Sequence, residues 1–418
     1  MKVKSVWALI TLMLIGEFTF LLPFVVFRIF RPTFLTVFQI NNFQLGSAFS
    51  VYGIVAMISY FFGGPIADRF SPRQLLPVAM IFTSLGGLVL ISIPSMELLP
   101  VLYGFWGMTT ILLFWPAYIK AQREYGGKYA QGKSYGAVDA GRGLIAAIIA
   151  SSSVFLLDAF LPVSAELASY DQLKYAVQVI IGIFTFITAF GSILIWVFLK
   201  DERFEKDNMN RLSIKGILDA LKRRSVWLQA LIVLCAYVGY KVTDDFSLFA
   251  KDTFGYNDVD AAHMATITFW MRPIAAIAAG YLGDRMLHSK IIAWCFGIII
   301  LGSVTVSSGV LSADWWLIIV LTIASTSAAI YGLRGVYYAL FQEARLPVLI
   351  TGSAAGVVSV IGYTPDIFMG PLMGVILDNN PGAPGHQLLF GVLAGFSLLG
   401  LVTAVIFKKS TFSNPLSE

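Results

Sequence analysis

Long apolar runs of about 18 to 28 residues, separated by short charged or Pro/Gly corners, dominate the chain and read as membrane-spanning helices. They predict twelve spans, over 5–27, 45–66, 74–93, 98–119, 134–157, 173–199, 225–247, 262–283, 290–311, 315–338, 348–376 and 386–407. The longest polar stretch, Lys200 to Arg224, divides them six and six. The expected organisation is an N-terminal bundle over 1–199, a cytoplasmic linker over 200–224 and a C-terminal bundle over 225–418. In the linker, Leu212, Ile214, Ile217, Leu218 and Leu221 recur at helical spacing among Lys215, Asp219, Lys222, Arg223 and Arg224. That pattern predicts an amphipathic helix on the inner leaflet, with a solvated connector as the alternative. Between the first two spans, Arg28, Arg31 and Pro32 mix with Phe30, Phe34, Leu35, Val37 and Phe38, so the first helix is expected to continue, bent, into an interfacial segment.

Composition agrees: 57% hydrophobic and 13% charged residues, with a mean hydropathy of +0.78, place the chain in lipid and exclude a soluble multidomain protein. The net charge of +5 comes from basic residues in short loops, which is a topology signal and not a nucleic-acid surface. If the N-terminus is inside, the inner segments hold 21 of the 29 Lys and Arg, and the outer ones only Arg28, Arg31, Lys174 and Lys251. Both termini are therefore expected in the cytoplasm, with the protein multi-pass in the cytoplasmic membrane. Cys235 and Cys295 lie inside apolar runs, which argues against a disulfide framework. Met1 to Lys4 precede an apolar run without a small-residue cleavage site, as expected for a retained first helix.

One charged corner occurs twice. Gly63-Gly64-Pro65-Ile66-Ala67-Asp68-Arg69-Phe70-Ser71-Pro72-Arg73 returns as Gly280-Tyr281-Leu282-Gly283-Asp284-Arg285, with Gly64, Asp68 and Arg69 matching Gly280, Asp284 and Arg285 at one shift of 216 residues. A duplicated G-x-x-x-D-R after the second span of each half resembles the major facilitator superfamily of secondary transporters, whose corresponding loop carries G-x-x-x-D-R-x-G-R-R. Here Ser71 stands in place of the later Gly, and Arg73 follows it. The resemblance implies an all-α integral membrane fold: twelve transmembrane helices in two pseudo-symmetric six-helix bundles, with a substrate path at the seam of the halves. It also implies a gating role for Gly64, Asp68, Arg69, Arg73, Gly280, Asp284 and Arg285. In such proteins the Asp at the carbonyl end of its helix is held by the start of the eleventh helix, here near Ile350 to Ser353; Asp284 would meet the fifth span near Ser134 and Tyr135.

A charge at mid-membrane costs about 2.5 to 3.5 kcal/mol on insertion scales, so each needs a reason. Glu17, in the middle of the first span, is the candidate proton-carrying or cation-binding carboxylate, against an interhelical hydrogen-bonding role. Arg272, central in the eighth span, offers a fork to a carboxylate, sulfonate, phosphate or nitrate, against a salt bridge to Glu17 or Asp366. Nitrate porters of the superfamily pair such an arginine with one in the second helix, but the position 216 residues before Arg272 is Ala56. Asp366 follows Pro365 in the eleventh span, where a broken helix with an acid at mid-depth is expected to hold a coupling ion or substrate. Lys241, Asp244 and Asp245 cluster in the outer third of the seventh span, where spacing puts them on one helix face. Gating or simple ion pairing both fit them. Asp139 and Arg142 read as a cytoplasmic gate, and Arg334 as a snorkelling side chain. Among Trp106, Trp115, Tyr118, Trp270, Tyr331, Tyr337 and Tyr338, only Tyr331 is taken as a substrate contact.

No G-x-x-x-x-G-K-[ST] loop is present, which disfavours direct ATP-driven pumping, and His263, His288 and His386 all fall at span ends. No cofactor, metal, nucleic-acid partner or enzymatic activity is expected. The reading is a monomeric secondary active transporter that moves a small polar, anionic organic solute by alternating access with proton coupling, its partners being the solute, H+ and lipid. The resemblance places it near nitrate/nitrite porters or organophosphate antiporters. Two alternatives stand: a proton-coupled exporter of amphipathic or cationic compounds, and a non-transporting membrane sensor.

Overall fold

The computed structural model describes residues 6–126, 131–161, 168–200, 214–283 and 285–413, and every regular element among them is helical. Helix α1 (Val6–Phe18) runs through a π-helical turn, Leu21–Val25, into α2 (Val26–Phe38), forming one apolar span of 33 residues. Its backbone leaves the helical region at Phe30 (φ −111°, ψ 32°), two residues before Pro32, which has no N–H to give the ladder. The expected bend is there, and Arg28 and Arg31 on it are only 5% and 2% exposed. Their charges are buried because each finds a partner side chain.

Next come α3 (Asn42–Arg69), α4 (Pro72–Ile91), and α5 (Leu98–Gly107), which continues through a π-helical stretch, Met108–Phe114, into α6 (Trp115–Gly126). Helices α7 (Gln131–Phe160) and α8 (Tyr170–Phe198) close the first half. Local chemistry fixes several starts. Asn41 and Gln44 form a reciprocal cap on α3, where the Gln44 amide donates to Asn41 Oδ1 at 2.8 Å and the Asn41 amide to Gln44 Oε1 at 2.9 Å. Ser169 and Gln172 do the same for α8, and Pro72 opens α4 at a position where no N–H is needed.

The predicted linker helix appears as α9 (Ile214–Leu221); Leu212 lies outside the described residues. It is followed by α10 (Arg224–Val242), α11 (Phe246–Phe254), α12 (Asp258–Gly283), α13 (His288–Ser307), α14 (Trp316–Val336), the short α15 (Leu340–Glu343), α16 (Val348–Gly362), α17 (Pro365–Asn379) and α18 (Ala383–Ser413). The eleventh span is broken at Tyr363 and Thr364 just before Pro365, as the sequence predicts. The seventh ends sooner than predicted. Helix α10 stops at Val242, so Asp244 and Asp245 lie in the turn before α11 and not on one helical face with Lys241.

Among the described residues, eleven segments are long and apolar enough to cross a membrane. The 26-residue α12 has the length as well, but Arg272 and Pro273 dilute its apolar run. Large side chains such as Phe155, Phe186, Ile277 and Leu301 are 68 to 70% exposed, a surface that water would not tolerate and lipid solvates.

The chain forms two compact units. The first comprises Met1–Glu202, Asp244–Pro273 and Asp366–Gly382, and the second Arg203–Thr243, Ile274–Pro365 and Ala383–Glu418. In the first, α4 packs on α8, α3 on α5, and α2 on α11. Helix α3 also meets α17 at backbone distance: a Cβ on Gly46 would collide with the Gly370 carbonyl, so only glycine allows this approach. In the second unit, α13 packs on α18 and α14, while α10 lies against α16 and α18.

Candidate functional site

The first unit buries a cluster of four charges from three helices. Glu17 on α1 is 3% exposed. Its Oε2 lies 3.1 Å from Arg272 Nη1 of α12 and 3.6 Å from Arg142 Nε of α7. Asp139, one turn before Arg142, closes the ring at 3.7 Å from Arg142 Nη1 and 3.2 Å from Arg272 Nη2. Two carboxylates thus face two guanidinium groups, and the ring is neutral when both acids are ionised. One side of it is open, since the Asp139 side chain is 54% exposed while the other three are at most 15%.

Small residues bring these helices close enough for the charges to meet. A Cβ on Gly16 would strike the Tyr118 hydroxyl and come within 2.9 Å of Arg142 Cδ, and one on Gly143 would stand 3.1 Å from Arg272 Cγ. Tyr118 is held by donating to the Leu12 carbonyl at 2.9 Å. The Arg142 guanidinium lies over the rings of Trp115 and Tyr118, at 5.7 and 5.8 Å. Its Nε is buried and forms no hydrogen bond, Glu17 being 3.6 Å away. One carboxylate therefore serves two arginines and satisfies Arg272 better.

Sequence reasoning treated Glu17 and Arg272 as site residues and Asp139 and Arg142 as a separate gate; the structure joins all four. Arg272 pairs with Glu17 and Asp139, while Asp366 belongs to another helix. It stands at the start of α17, where its carbonyl would be 2.7 Å from a Cβ on Gly53 of α3.

A second buried set occupies the other end of α1–α2. Arg28 Nε is 2.5 Å from Asp244 Oδ1, both side chains being at most 7% exposed, and the guanidinium lies 5.8 Å from the Phe269 ring centre. Arg31 donates to Asn42 Oδ1 at 2.9 Å. The Asp378 carboxylate of α17 accepts from the amides of Asn42 and Phe43, at 3.1 and 2.8 Å, where the first turn of α3 has unpaired N–H groups. The sequence pattern alone places Arg28 in an outer loop and gives no sign of the role of Asp378. A signal for the first existed: Asp244 stands 216 residues after Arg28, the shift of the duplicated corner.

In the second unit, Arg334 of α14 does not snorkel. Its guanidinium packs 3.8 Å from the ring centre of Tyr240 and 5.9 Å from that of Tyr237, both on α10. Tyr331 packs on Tyr240 at 6.2 Å. The Tyr338 hydroxyl meets Ser359 Oγ at 2.7 Å and the Tyr363 hydroxyl at 2.9 Å.

Asp68 is exposed and has no partner among the described residues. The carbonyl end of α3 is met by Lys120, whose ammonium donates to the Ala67 and Phe70 carbonyls at 2.6 and 3.2 Å, supplying there the positive charge that a helix C-terminus favours. Arg73 donates to the Trp196 carbonyl at 3.0 Å, and Arg285 stacks 4.2 Å from the Tyr281 ring centre. A Cβ at Gly64 or Gly280 would meet open space. Asp284 lies outside the described residues, as do the side chains of Ser134 and Tyr135.

The sequence matches the Major Facilitator Superfamily over residues 8–368. The chain belongs to that superfamily. Two relatives from Escherichia coli (strain K12) are similar to this superfamily member over nearly its whole length. Inner membrane protein YihN is 27% identical over 418 residues, covering 98% of this chain and 97% of its own. Inner membrane protein YqcE is 27% identical over 386 residues, covering 88% and 87%. Solved superfamily folds match as well. A bacterial homolog of the human lysosomal transporter Spinster, in an inward-facing and unoccupied conformation, aligns with a TM-score of 0.72 at 14% identity over 98% of both chains. The nucleoside transporter NupG aligns at 0.71 and 14% over 99% of both. At that identity the likeness concerns the fold. As a superfamily member the chain is a multi-pass membrane transporter and not an enzyme.

Proposed function

We propose that this transporter carries a small polar organic anion by alternating access between the halves 1–199 and 225–418, coupled to proton symport at Glu17. It would act as a monomer in the cytoplasmic membrane with both termini inside, in the manner of nitrate/nitrite porters or organophosphate antiporters. The observation that carries the reading is the sharing of Glu17 by Arg142 and Arg272. Protonating Glu17 removes one negative charge from a neutral ring and leaves two guanidinium groups facing Asp139 alone. The ring then has a net positive charge beside its open side. An anion binds there more tightly once the proton is on, and by reciprocity the anion holds the proton. Asp366, on the broken eleventh span, is a second carboxylate for the coupling ion or the solute, and Tyr331 a solute contact. The corner residues Gly64, Asp68, Arg69, Arg73, Gly280, Asp284 and Arg285 would gate one face, and Lys241, Asp244 and Asp245 the other.

Uptake into proteoliposomes under an imposed inward proton gradient tests this, with the solute first found by thermal-stability screening. Wild type should concentrate the solute, and Glu17→Gln should exchange it across the membrane without responding to the gradient. Accumulation that survives both collapse of the gradient and Glu17→Gln refutes proton coupling at this residue. The ion pairs of Arg272 also suit a second reading, export of amphipathic cations drawn by the exposed Asp139. Stabilisation by organic cations, lost in Asp139→Asn, would favour it.

A further inference from the structure

We propose that Arg334 and the tyrosines around it form a binding site for the anionic group of a small hydroxylated organic solute. The inference rests on the anion-carrier reading for its ligand, but not on proton coupling at Glu17. Arg28, Arg142 and Arg272 each have a carboxylate oxygen within 3.7 Å. Arg334 has none among the described residues; what it has is aromatic faces and a hydrogen bond to the Tyr240 hydroxyl. An arginine in the last turn of α14 would gain from the helix dipole, yet the same turn would let it reach the membrane surface. It packs inward on Tyr240 instead. Stacking a guanidinium on a phenol ring occupies the flat face of the fork, and one hydrogen bond to Tyr240 uses only one of its five N–H donors; the others remain for oxygens, the geometry that recognises carboxylate, phosphate or sulfonate.

The surroundings suit hydroxyl groups. Tyr337, Tyr363, Tyr338 and Ser359 link their hydroxyls in a chain at 3.4, 2.9 and 2.7 Å, built from three separate elements: the turn after α14, α16, and the break that follows it. A chain of phenols can reverse the direction of its hydrogen bonds, so it can donate to a solute hydroxyl or accept from one. The Tyr237 ring, 4.8 Å from that of Tyr363, joins the hydroxyl chain to the arginine. Gln229 fixes the tyrosine turn by donating to the Tyr337 carbonyl at 2.9 Å.

The same chemistry could hold an anionic lipid head group, so the test must separate the two. The full chain in phosphatidylcholine nanodiscs, with and without phosphatidylglycerol, would be titrated with gluconate, glucose 6-phosphate and neutral glucose while thermal unfolding is followed. Wild type should be stabilised by at least one of the two anions and not by glucose. Arg334→Gln should weaken that midpoint about 10- to 100-fold, the loss expected for a charge-assisted hydrogen-bonded contact. Arg334→Lys should recover part of it, and Tyr338→Phe should weaken it by less. Cooperative unfolding of each variant without ligand shows that it is folded.

A midpoint in Arg334→Gln and Arg334→Lys within twofold of wild type overturns the site while leaving the anion carrier standing. Stabilisation by phosphatidylglycerol alone, lost in Arg334→Gln, assigns the group to lipid and overturns the solute site. A wild type that responds to glucose and to neither anion, or to none of the three, overturns both this site and the anion reading.

Discussion

At the scale of single residues, the Glu17 ring turns an energetic liability into a sensitive switch. A buried carboxylate facing two arginines offsets its desolvation only while all partners are present, and removing one leaves an uncompensated charge costing about 3 to 5 kcal/mol. Glu17→Gln and Arg272→Gln should therefore each destabilise the protein strongly, and the double variant should be less destabilised than the sum, by a coupling of about 0.5 to 3 kcal/mol. A double-mutant cycle by thermal or denaturant unfolding in detergent measures this; additive effects would mean that the 3.1 Å contact contributes nothing. Glu17 and Arg272 were legible in the sequence because a charge in an apolar run stands out. Their inclusion in one ring with Asp139 and Arg142 was not, since it depends on Gly16 and Gly143 letting α1, α7 and α12 approach. Arg334 was misjudged for a related reason: its depth in the span suggested a route to the surface, while the rings that hold it come from α10, nearly a hundred residues earlier.

At the scale of elements, apolar periodicity located the spans, and Pro365 announced the break in the eleventh. The break after Val242 had no such sign, because neither proline nor glycine stands between Thr243 and Asp245. What supports that turn is a partner far away in sequence, Arg28. Likewise nothing near Asn42 foretold that Asp378 would cap α3. The α3–α17 contact depends on the absence of side chains at Gly46 and Gly370, where a Cβ has no room and the blocking atoms are backbone. Gly46→Leu should thus force α17 away. In a background lacking Cys235 and Cys295, cysteines replacing Asn42 and Asp378 should cross-link readily under oxidation, and adding Gly46→Leu should abolish the cross-link. Undiminished cross-linking would show that the two helices adjust without separating.

At the scale of the whole molecule, the shift of 216 residues that relates the two charged corners also separates Arg28 from Asp244, which meet directly. If the proposed halves are repeats at that shift, the pair joins equivalent places in them. The match is one of position and not of charge, since one copy carries a guanidinium and the other a carboxylate. If the proposed alternating access separates α2 from the turn before α11, the pair should contribute to stability and to the balance of conformations together. Either Arg28→Gln or Asp244→Asn takes a partner from a buried charge and should destabilise the state described here. It should also shift the population toward the state in which the survivor is hydrated, since an equilibrium moves with the difference in free energy between its states. The exchange Arg28→Asp with Asp244→Arg restores charge balance at matching positions and should recover most of the lost thermal stability. Reaction of a cysteine placed at Ser247, which donates to the Arg28 carbonyl and is buried here, reports the population: it should be slow in wild type, fast in either single variant, and slow again in the exchange. Equal labelling rates in all four proteins would separate the ion pair from the conformational balance and leave it a purely static contact.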